Sequence, residues 1–129
     1  MSESRAARER LTLPAERRLR RKAEFDAVYT HGRRLGNAHF SVVVYESGAG
    51  APRLGLAVSN KAAGSSVERN RLRRLVRESF RLHQHSLPPV DLVVSARPTA
   101  RGVDNRELHA SLAALWKRVR QQCASSPSS

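Results

Sequence analysis

Three stretches of the chain place apolar residues three and four positions apart, which is the spacing of one face of an α-helix. We predict helices over about residues 22–30, 67–84 and 105–122. Their apolar faces are, in the same order, Phe25, Val28 and Tyr29; Leu72, Leu75, Val76 and Phe80; and Leu108, Leu112, Leu115, Trp116 and Val119. Each helix is therefore expected to bury one face and to leave the other to solvent or to a ligand.

Three other stretches, residues 37–45, 53–59 and 91–96, have the composition of β-strands. The first is rich in β-branched and aromatic residues, and the second alternates apolar with other residues. A Gly-rich turn joins them, so we expect them to pair as a hairpin. On its other face the second carries the small residues Gly55, Ala57 and Ser59, which would let another backbone come close. The third carries consecutive Leu and Val and is expected to be buried on both faces.

The order of these elements is helix, two strands, helix, strand and helix, the pattern of an α+β domain in which the helix at 67–84 crosses between two strands. With 129 residues, the chain has the size of one domain. We expect the folded domain to span residues 15–122. It would lie between a charged, disordered arm at 1–14 and a disordered, Ser-rich tail at 123–129.

The net charge points to a class of partner. The chain has 24 Lys and Arg against 11 Asp and Glu, which gives a net charge of +13. The usual partner of so basic a domain is nucleic acid. Most of the cations are Arg, whose planar guanidinium pairs with phosphate through two donors. A GC-rich genome would also favour Arg over Lys, but it would not account for the net charge.

Several other classes of protein are disfavoured. No stretch approaches the roughly 18 apolar residues of a membrane span, and residues 1–13 lack the apolar core of a secretory signal. The single cysteine, Cys123, argues against a disulfide framework and a Cys-based metal site. We expect a cytoplasmic protein without a membrane contact.

The helix at 67–84 carries the strongest functional signal. Opposite its apolar stripe lies a mostly basic band, made of Asn70, Arg73, Arg74, Arg77 and Arg81. Such a guanidinium face can lie along a phosphate backbone, while the amide of Asn70 suits a ribose 2′-OH or a base edge. The alternative is a solvated basic face. Solvated faces usually mix charges for i,i+4 pairing, however, and only Glu68 and Glu78 dilute the arginines here.

Aromatic side chains offer a second signal. Phe25 and Tyr29 lie on the first helix, and Phe40 and Tyr45 lie on the first strand. Single-stranded RNA is held by stacking on such rings beside a basic groove. For any one ring, core packing is the commoner role, and we assign Trp116, in the Leu-rich last helix, to the core.

Residues for catalysis are not grouped in the sequence. Hydrolysis of RNA by a protein needs a metal-binding carboxylate cluster or a pair of histidines that act as acid and base. The acidic and histidine residues of this chain are spread over separate elements or diverge on one helix. We therefore predict neither a catalytic residue nor a metal ligand in the protein.

The segment SSVERNRLRRLVRESF at 65–80 resembles the signature of the bacterial ribonuclease P protein component. The core of this highly specific run is Arg69, Asn70, Arg71, Arg74, Arg77 and Glu78. The segments LRRKAEFDAVYTHG at 19–32, PRLGLAVSNK at 52–61 and DLVVSARP at 91–98 are also similar to the family. With the Leu-rich last helix, the resemblance covers about residues 14–122.

The resemblance implies a particular fold. Members of the family are α/β sandwiches of order αβββαβα, with a four-stranded sheet and a left-handed βαβ crossover. That handedness is rare, because most such crossovers are right-handed. The additional strand would lie near residues 33–36, where the hydrophobic pattern indicates none.

The resemblance also implies a function and its partners. In the family, a catalytic RNA hydrolyses the phosphodiester bond at the 5′ end of the tRNA, with Mg²⁺ bound by the RNA and the substrate rather than by the protein alone. The chain would then be the subunit of an endoribonuclease without catalytic residues of its own. Its partners would be the catalytic RNA and precursor tRNA, with no obligate protein partner.

By position, the resemblance assigns two sets of residues. The catalytic RNA would be bound by Arg69, Asn70, Arg71, Arg73, Arg74 and Arg77. A cleft between this helix and the sheet would hold the single-stranded 5′ leader of precursor tRNA through Phe25, Tyr29, Phe40 and Lys61. Two positions depart from the family: Asn60 replaces a basic residue, and Val43 replaces an aromatic residue of some members. These departures could weaken leader stacking or move that role to Tyr45.

Three other classes stay open on the sequence. A structural RNA-binding protein, such as a ribosomal one, would share the charge and the sheet but would not stimulate precursor cleavage. A protein-only nuclease would need a carboxylate or histidine site. A DNA-binding regulator would need a helix-turn-helix or a dimer interface, and the sequence indicates neither.

Overall fold

The structure, a computed structural model, describes residues 17–19, 21–46 and 50–124. Its helices are α1 (Lys22–His31), α2 (Asn60–Ala63), α3 (Ser66–His83) and α4 (Asn105–Ala124). Its strands are β1 (Arg33–Gly36), β2 (Phe40–Tyr45), β3 (Arg53–Leu56) and β4 (Asp91–Ala96). The three predicted helices are confirmed, and α4 continues beyond the predicted start of the tail. The predicted arm at 1–14 and the remainder of the tail lie outside the described residues.

The four strands form one sheet in the order β1-β2-β4-β3. The β1–β2 and β2–β4 pairs are antiparallel, and the β3–β4 pair is parallel. The strand that the resemblance implied near 33–36 is therefore confirmed. Its RRLG sequence buries only Leu35, so it carries no alternation that a pattern could show. The chain passes from β3 to β4 through α2 and α3, which makes the expected βαβ unit, and its handedness stays a prediction.

The predicted hairpin between residues 37–45 and 53–59 is wrong. Strand β2 pairs with β1 on one side and with β4 on the other, so neither of its edges is free for β3. Strand β3 pairs with β4 instead. The central position of β4 follows from its run of Leu and Val, which is buried on both faces as predicted.

One face of the sheet packs against α3 and α4. The main core combines the apolar stripes of both helices with Phe40, Val42 and Val44 of β2. Trp116 is fully buried there. Its indole N–H donates to Ser79 Oγ at 2.9 Å, and its ring meets Phe80 edge to face at 6.0 Å. The prediction that Trp116 belongs to the core is confirmed.

The other face of the sheet is covered by α1. A second apolar cluster lies there, made of Leu19, Val28, Val43 and Val93 with Phe25, Tyr45 and Ala57 against it. Gly55 of β3 makes room for an aromatic ring, because a Cβ at this position would lie 2.9 Å from two ring carbons of Phe25. The small face that was expected to admit another backbone therefore admits the Phe25 side chain of the protein itself.

A charged network fastens α1 to the sheet. Arg53 of β3 donates from Nε and Nη2 to the two carboxylate oxygens of Asp91 in β4, at 2.8 and 2.7 Å. Its Nη1 donates to Oε2 of Glu24 in α1 at 3.0 Å. Asp91 is only 2 % exposed, and its hydrogen bond raises the pKa of Arg53. Since Glu24 directly precedes Phe25, this network helps to fix where the Phe25 ring lies.

Candidate nucleic-acid interface

Helix α3 is positioned by its N-terminal cap and by its apolar stripe. Ser65 Oγ accepts a hydrogen bond from the Glu68 N–H at 3.1 Å, which satisfies one of the free donors of the first turn. The stripe residues Leu72, Leu75, Val76 and Phe80 are buried in the main core. The opposite, basic side of α3 is therefore held toward the surface, as the helical spacing predicted.

Four residues on that side line a groove of about 210 Å³: Asn70, Arg73, Arg74 and Arg77. Asn70 and Arg74 are exposed, whereas Arg73 and Arg77 are half-buried. Burial lowers the pKa of Arg77, and the positive charges of Arg73, Arg18 and Arg74 lower it further. Guanidinium groups crowded in this way repel one another until an anion binds between them. The groove therefore has the electrostatic character of a phosphate site.

Unsatisfied donors on α3 support the same conclusion. The Nε atoms of Arg69, Arg73 and Arg81 are buried and lack a hydrogen-bond partner within the described part of the chain. A buried donor without a partner costs about 1–3 kcal/mol. Of these three arginines only Arg73 lines the α3 groove, where a phosphate oxygen could accept a charge-assisted hydrogen bond from it.

A second groove, of about 290 Å³, lies between α3, the start of α1 and strand β3. We call it the Phe25 cleft, and its lining residues are Arg18, Leu19, Phe25, Leu54, Leu56, Arg73 and Arg77. One aromatic ring and three guanidinium groups thus line the cleft together with three leucine side chains. This combination suits a single nucleic-acid strand, whose bases stack on rings while its phosphates pair with cations.

Arg18 and Leu19 are the cleft residues that sequence reasoning missed. The Leu19 N–H donates to the Leu54 carbonyl at 2.8 Å, and Arg18 forms a parallel bridge with the same residue. This segment therefore runs along the free edge of β3 and forms one wall of the cleft. The basic run Arg17, Arg18, Arg20, Arg21 and Lys22 was the available signal in the sequence, but nothing in its pattern pairs it with β3.

Of the four residues predicted for the leader cleft, only Phe25 lines the Phe25 cleft. Tyr29 lies on α1 and is 46 % exposed. Lys61 is exposed on α2, and its carbonyl accepts from Arg101 Nη2 at 2.5 Å. Phe40 is fully buried in the main core, on the face of the sheet opposite to Phe25. A strand in the cleft therefore cannot touch Phe40, because β2 points this ring toward α3 and α4.

The two positions that depart from the family also lie outside the Phe25 cleft. Val43 is buried beneath α1 in the second cluster, and Asn60 is exposed in α2. Tyr45, the alternative stacking residue, is partly buried on the α1 side of the sheet. Its ring centre lies 5.6 Å from that of His31. The expected transfer of a stacking role to Tyr45 stays a prediction.

The guanidinium group of Arg71 is hydrogen-bonded to other residues of the protein. Its Nε and Nη2 donate to the two carboxylate oxygens of Glu68 at 2.9 and 2.6 Å. Its Nη1 donates to Oδ1 of Asn105, the first residue of α4, at 2.5 Å. Glu68 Oε2 also accepts from the Gly102 N–H at 2.9 Å. The hydrogen bonds from Arg71 and Gly102 lower the pKa of Glu68 to about 2.

The lowered pKa of Glu68 predicts a pH-dependent contribution to stability. Because the folded-state pKa is about 2 and the ordinary value is 4.5, ionised Glu68 stabilises the fold fully above pH 4.5. This stabilisation is lost as the pH falls from 4.5 toward 2. Urea unfolding of the wild type and Glu68→Gln should show a more stable wild type at pH 7 and a smaller difference at pH 2.5. An equal difference at both pH values would contradict the assignment.

The chemistry of this surface is that of binding. Its cationic, amide and aromatic side chains can hold and orient phosphates and bases. Within the described residues, no group of three or more His, Cys, Asp or Glu is placed to hold a metal ion. None of the described helices is both long enough and apolar enough to cross a membrane.

Comparison with known proteins finds relatives over most of the chain. The family model for Ribonuclease P matches residues 13–120. The ribonuclease P protein component of Thioalkalivibrio sulfidiphilus is 42 % identical over 111 residues, which cover 86 % of this chain and 92 % of the relative. Solved RNase P proteins from Staphylococcus aureus and Thermotoga maritima are similar at TM-scores of 0.74 and 0.72, with 30 % and 34 % identity. Each covers 79 % of this chain, with 94 % and 96 % of the solved chains matched.

Proposed function

Because the chain belongs to the ribonuclease P protein family, we propose that it is the protein subunit of ribonuclease P and assists removal of the 5′ leader from precursor tRNA in the cytoplasm. The observation that carries the proposal is the Phe25 cleft, in which an aromatic ring meets the guanidinium groups of α3. A structural RNA-binding protein would not need an aromatic cleft for a single strand along one side of its phosphate-binding helix.

We assign the outward side of α3 to the catalytic RNA. Asn70 and Arg74 are exposed there, and both line the α3 groove with Arg73 and Arg77. The guanidinium groups bind phosphates, and the Asn70 amide can donate and accept at a 2′-OH, which distinguishes RNA from DNA. Such contacts fix the position of the protein on the RNA without reading sequence.

We assign the Phe25 cleft to the single-stranded leader. Arg73 and Arg77 border both the α3 groove and this cleft. They are thus placed between the two RNA ligands, whereas the sequence-based assignment gave both to the catalytic RNA alone. Catalytic RNA and precursor tRNA are both polyanions, so cations between them reduce the repulsion that opposes their association.

The protein contributes binding and orientation, and we assign the hydrolysis itself to the RNA subunit. Mg²⁺ held by the RNA and the substrate would activate the attacking water and stabilise the charge that develops on the phosphate. By holding the leader on one side of the scissile bond, Phe25 and its neighbouring arginines would orient the substrate for that step. The side chains assigned here hold RNA and transfer no proton.

A reconstitution assay tests the proposed function. Precursor tRNA with a 5′ leader is incubated at low Mg²⁺ with the protein alone, with bacterial ribonuclease P RNA alone, and with both. We expect mature 5′ ends only in the mixture, or at a strongly increased rate there. Product from the protein alone would indicate a catalytic site in the protein. If the folded protein does not stimulate cleavage by the RNA, the chain is a general RNA-binding protein instead.

Stacking on Phe25 predicts a leader-specific loss of affinity. Phe25→Leu keeps an apolar side chain over Gly55 but removes the aromatic face. Base–aromatic stacking contributes about 1–3 kcal/mol, so the holoenzyme should bind leader-bearing precursor about tenfold more weakly, with mature tRNA little affected. The matched control is Tyr29→Leu on the same helix, since Tyr29 does not line the cleft. A larger loss of precursor affinity in Tyr29→Leu than in Phe25→Leu would mean that the leader binds outside the Phe25 cleft.

A further inference from the structure

Arg71 belongs to the Arg-Asn-Arg motif, yet its surroundings differ from those of a phosphate ligand. Its Nε, Nη1 and Nη2 all donate within the protein. A phosphate that took this guanidinium fork would have to displace the Glu68 carboxylate and leave its charge facing the RNA. The hydrogen bonds to Glu68, and to a smaller extent the negative charge of Asp104, raise the pKa of Arg71. The positive charge of Arg71 is thus balanced by nearby negative charges, unlike the charges of the arginines that line the α3 groove.

We propose that Arg71 and Glu68 form a brace that sets the position of α3, and that Arg71 supports RNA binding by positioning its neighbours rather than by contacting phosphate. Arg71 is then a positioning residue within an otherwise RNA-contacting motif. The inference rests on the proposed function, since the ligand concerned is the catalytic RNA.

The brace joins α3 to the segment between β4 and α4. Gly102 and Asn105, from that segment and the start of α4, bond to Glu68 and Arg71. Arg101, beside Gly102, donates to two carbonyl groups of α2 at 2.7 and 2.5 Å. One end of α3 is therefore fixed to both α2 and α4, next to the residues that face the RNA. A shift of this end would move several RNA-binding side chains together.

The two possible roles of Arg71 predict opposite signs for one substitution. Glu68→Gln removes a negative charge from the helix that binds RNA. If Arg71 contacted phosphate, this change would release it, and the catalytic RNA would bind as tightly as before or more tightly. If the pair is a brace, the same change weakens binding, by about tenfold or about 1.4 kcal/mol, although the protein becomes more positive.

Glu78→Gln is the matched control. Glu78 lies half-buried on the same helix, and its carboxylate forms no ion pair with the described residues. Its replacement removes the same charge and leaves the brace intact, so RNA binding should be unchanged or tighter. Asn105→Ala removes one bond of the brace without changing any charge, and it should weaken binding in the same direction as Glu68→Gln.

The measurement is the affinity of the full-length chain for bacterial ribonuclease P RNA, at a temperature at which circular dichroism shows every variant to be folded. A merely structural loss would lower the unfolding temperature and leave the affinity of the folded protein unchanged. The salt dependence gives a second readout. Arg74→Met should reduce the slope of log affinity against log salt by about 0.7–0.9, whereas Arg71→Met, which removes no phosphate contact of its own, should reduce this slope by less.

Two results would overturn the brace: Glu68→Gln binding RNA as tightly as Glu78→Gln, or Arg71→Met reducing the salt slope as much as Arg74→Met. Either would make Arg71 a phosphate ligand. A wild-type chain that fails to bind the RNA at all would refute the proposed function instead, so the two failures are distinguishable.

Discussion

Replacing Arg73 and Arg77 together by glutamine should weaken the binding of leader-bearing precursor tRNA by about 100-fold in the reconstituted holoenzyme. Both side chains line the Phe25 cleft and the α3 groove. A hydrogen bond to a charged group contributes about 1.5–3 kcal/mol, and two lost contacts of about 1.5 kcal/mol amount to about 100-fold. The affinity is measured with precursor and with mature tRNA, at one fixed salt concentration.

The control for this variant removes the same charge elsewhere. Arg34 of β1 and Lys117 of α4 are exposed, and neither lines the cleft or the α3 groove. Glutamine at both positions lowers the net charge equally and should change precursor affinity by much less than the cleft variant. Equal losses in the two double variants would show that total charge, rather than the cleft, determines leader binding.

Arg53→Met should lower the free energy of unfolding by about 3 kcal/mol. The substitution keeps the apolar stem of the side chain but removes both hydrogen bonds from Arg53 to the Asp91 carboxylate, at 2.8 and 2.7 Å. Asp91 is only 2 % exposed, so water cannot replace these bonds. Breaking a buried ion pair on one side costs about 3–5 kcal/mol, and the partial exposure of Arg53 places this case at the lower end. Such a loss is a large fraction of the roughly 5–15 kcal/mol typical of a domain.

Urea unfolding at pH 7 measures this effect, with Arg34→Met as the control. Arg34 is exposed on the edge strand β1, where a substitution should change stability by no more than about 0.5 kcal/mol. A loss at Arg53 as small as that at Arg34 would mean that Asp91 is satisfied without the ion pair. Because Arg53 also holds Glu24, the folded fraction of Arg53→Met should show reduced preference for leader-bearing substrate.

The helices could be predicted because their signals are local. The apolar stripe of α3 and the guanidinium band opposite to it both follow from the helical repeat. In the structure the stripe is buried and arginines of the band line a surface groove, as expected. The burial of β4 on both faces could likewise be anticipated from its consecutive Leu and Val. Each of these features depends on residues within a few positions of one another.

Features that depend on distant parts of the chain could not be predicted in this way. The hairpin was wrong because strand order is decided by which strand fills the centre of the sheet, and β4 is far from β2 in sequence. Phe40 shares its face with Val42 and Val44, but the pattern does not say which face α1 covers.

The contrast between Arg71 and Arg73 is also a matter of tertiary contacts. On the sequence both are arginines of one basic helix. Glu68, three positions before Arg71, was a possible signal for an ion pair, but Gly102 and Asn105 complete the network from another part of the chain. The Arg73 side chain instead lines the Phe25 cleft, together with Arg18 and Leu19 from the segment before α1.

The most direct test of a leader-binding subunit uses the wild-type protein. The affinity of the holoenzyme, assembled from this chain and bacterial ribonuclease P RNA, is measured for precursor tRNA with a 5′ leader and for mature tRNA, and the same pair is measured with the RNA alone. If the Phe25 cleft holds the leader, the precursor binds more tightly than mature tRNA, and this preference grows when the protein is present. Equal affinity of the holoenzyme for the two tRNAs would contradict the assignment of the cleft.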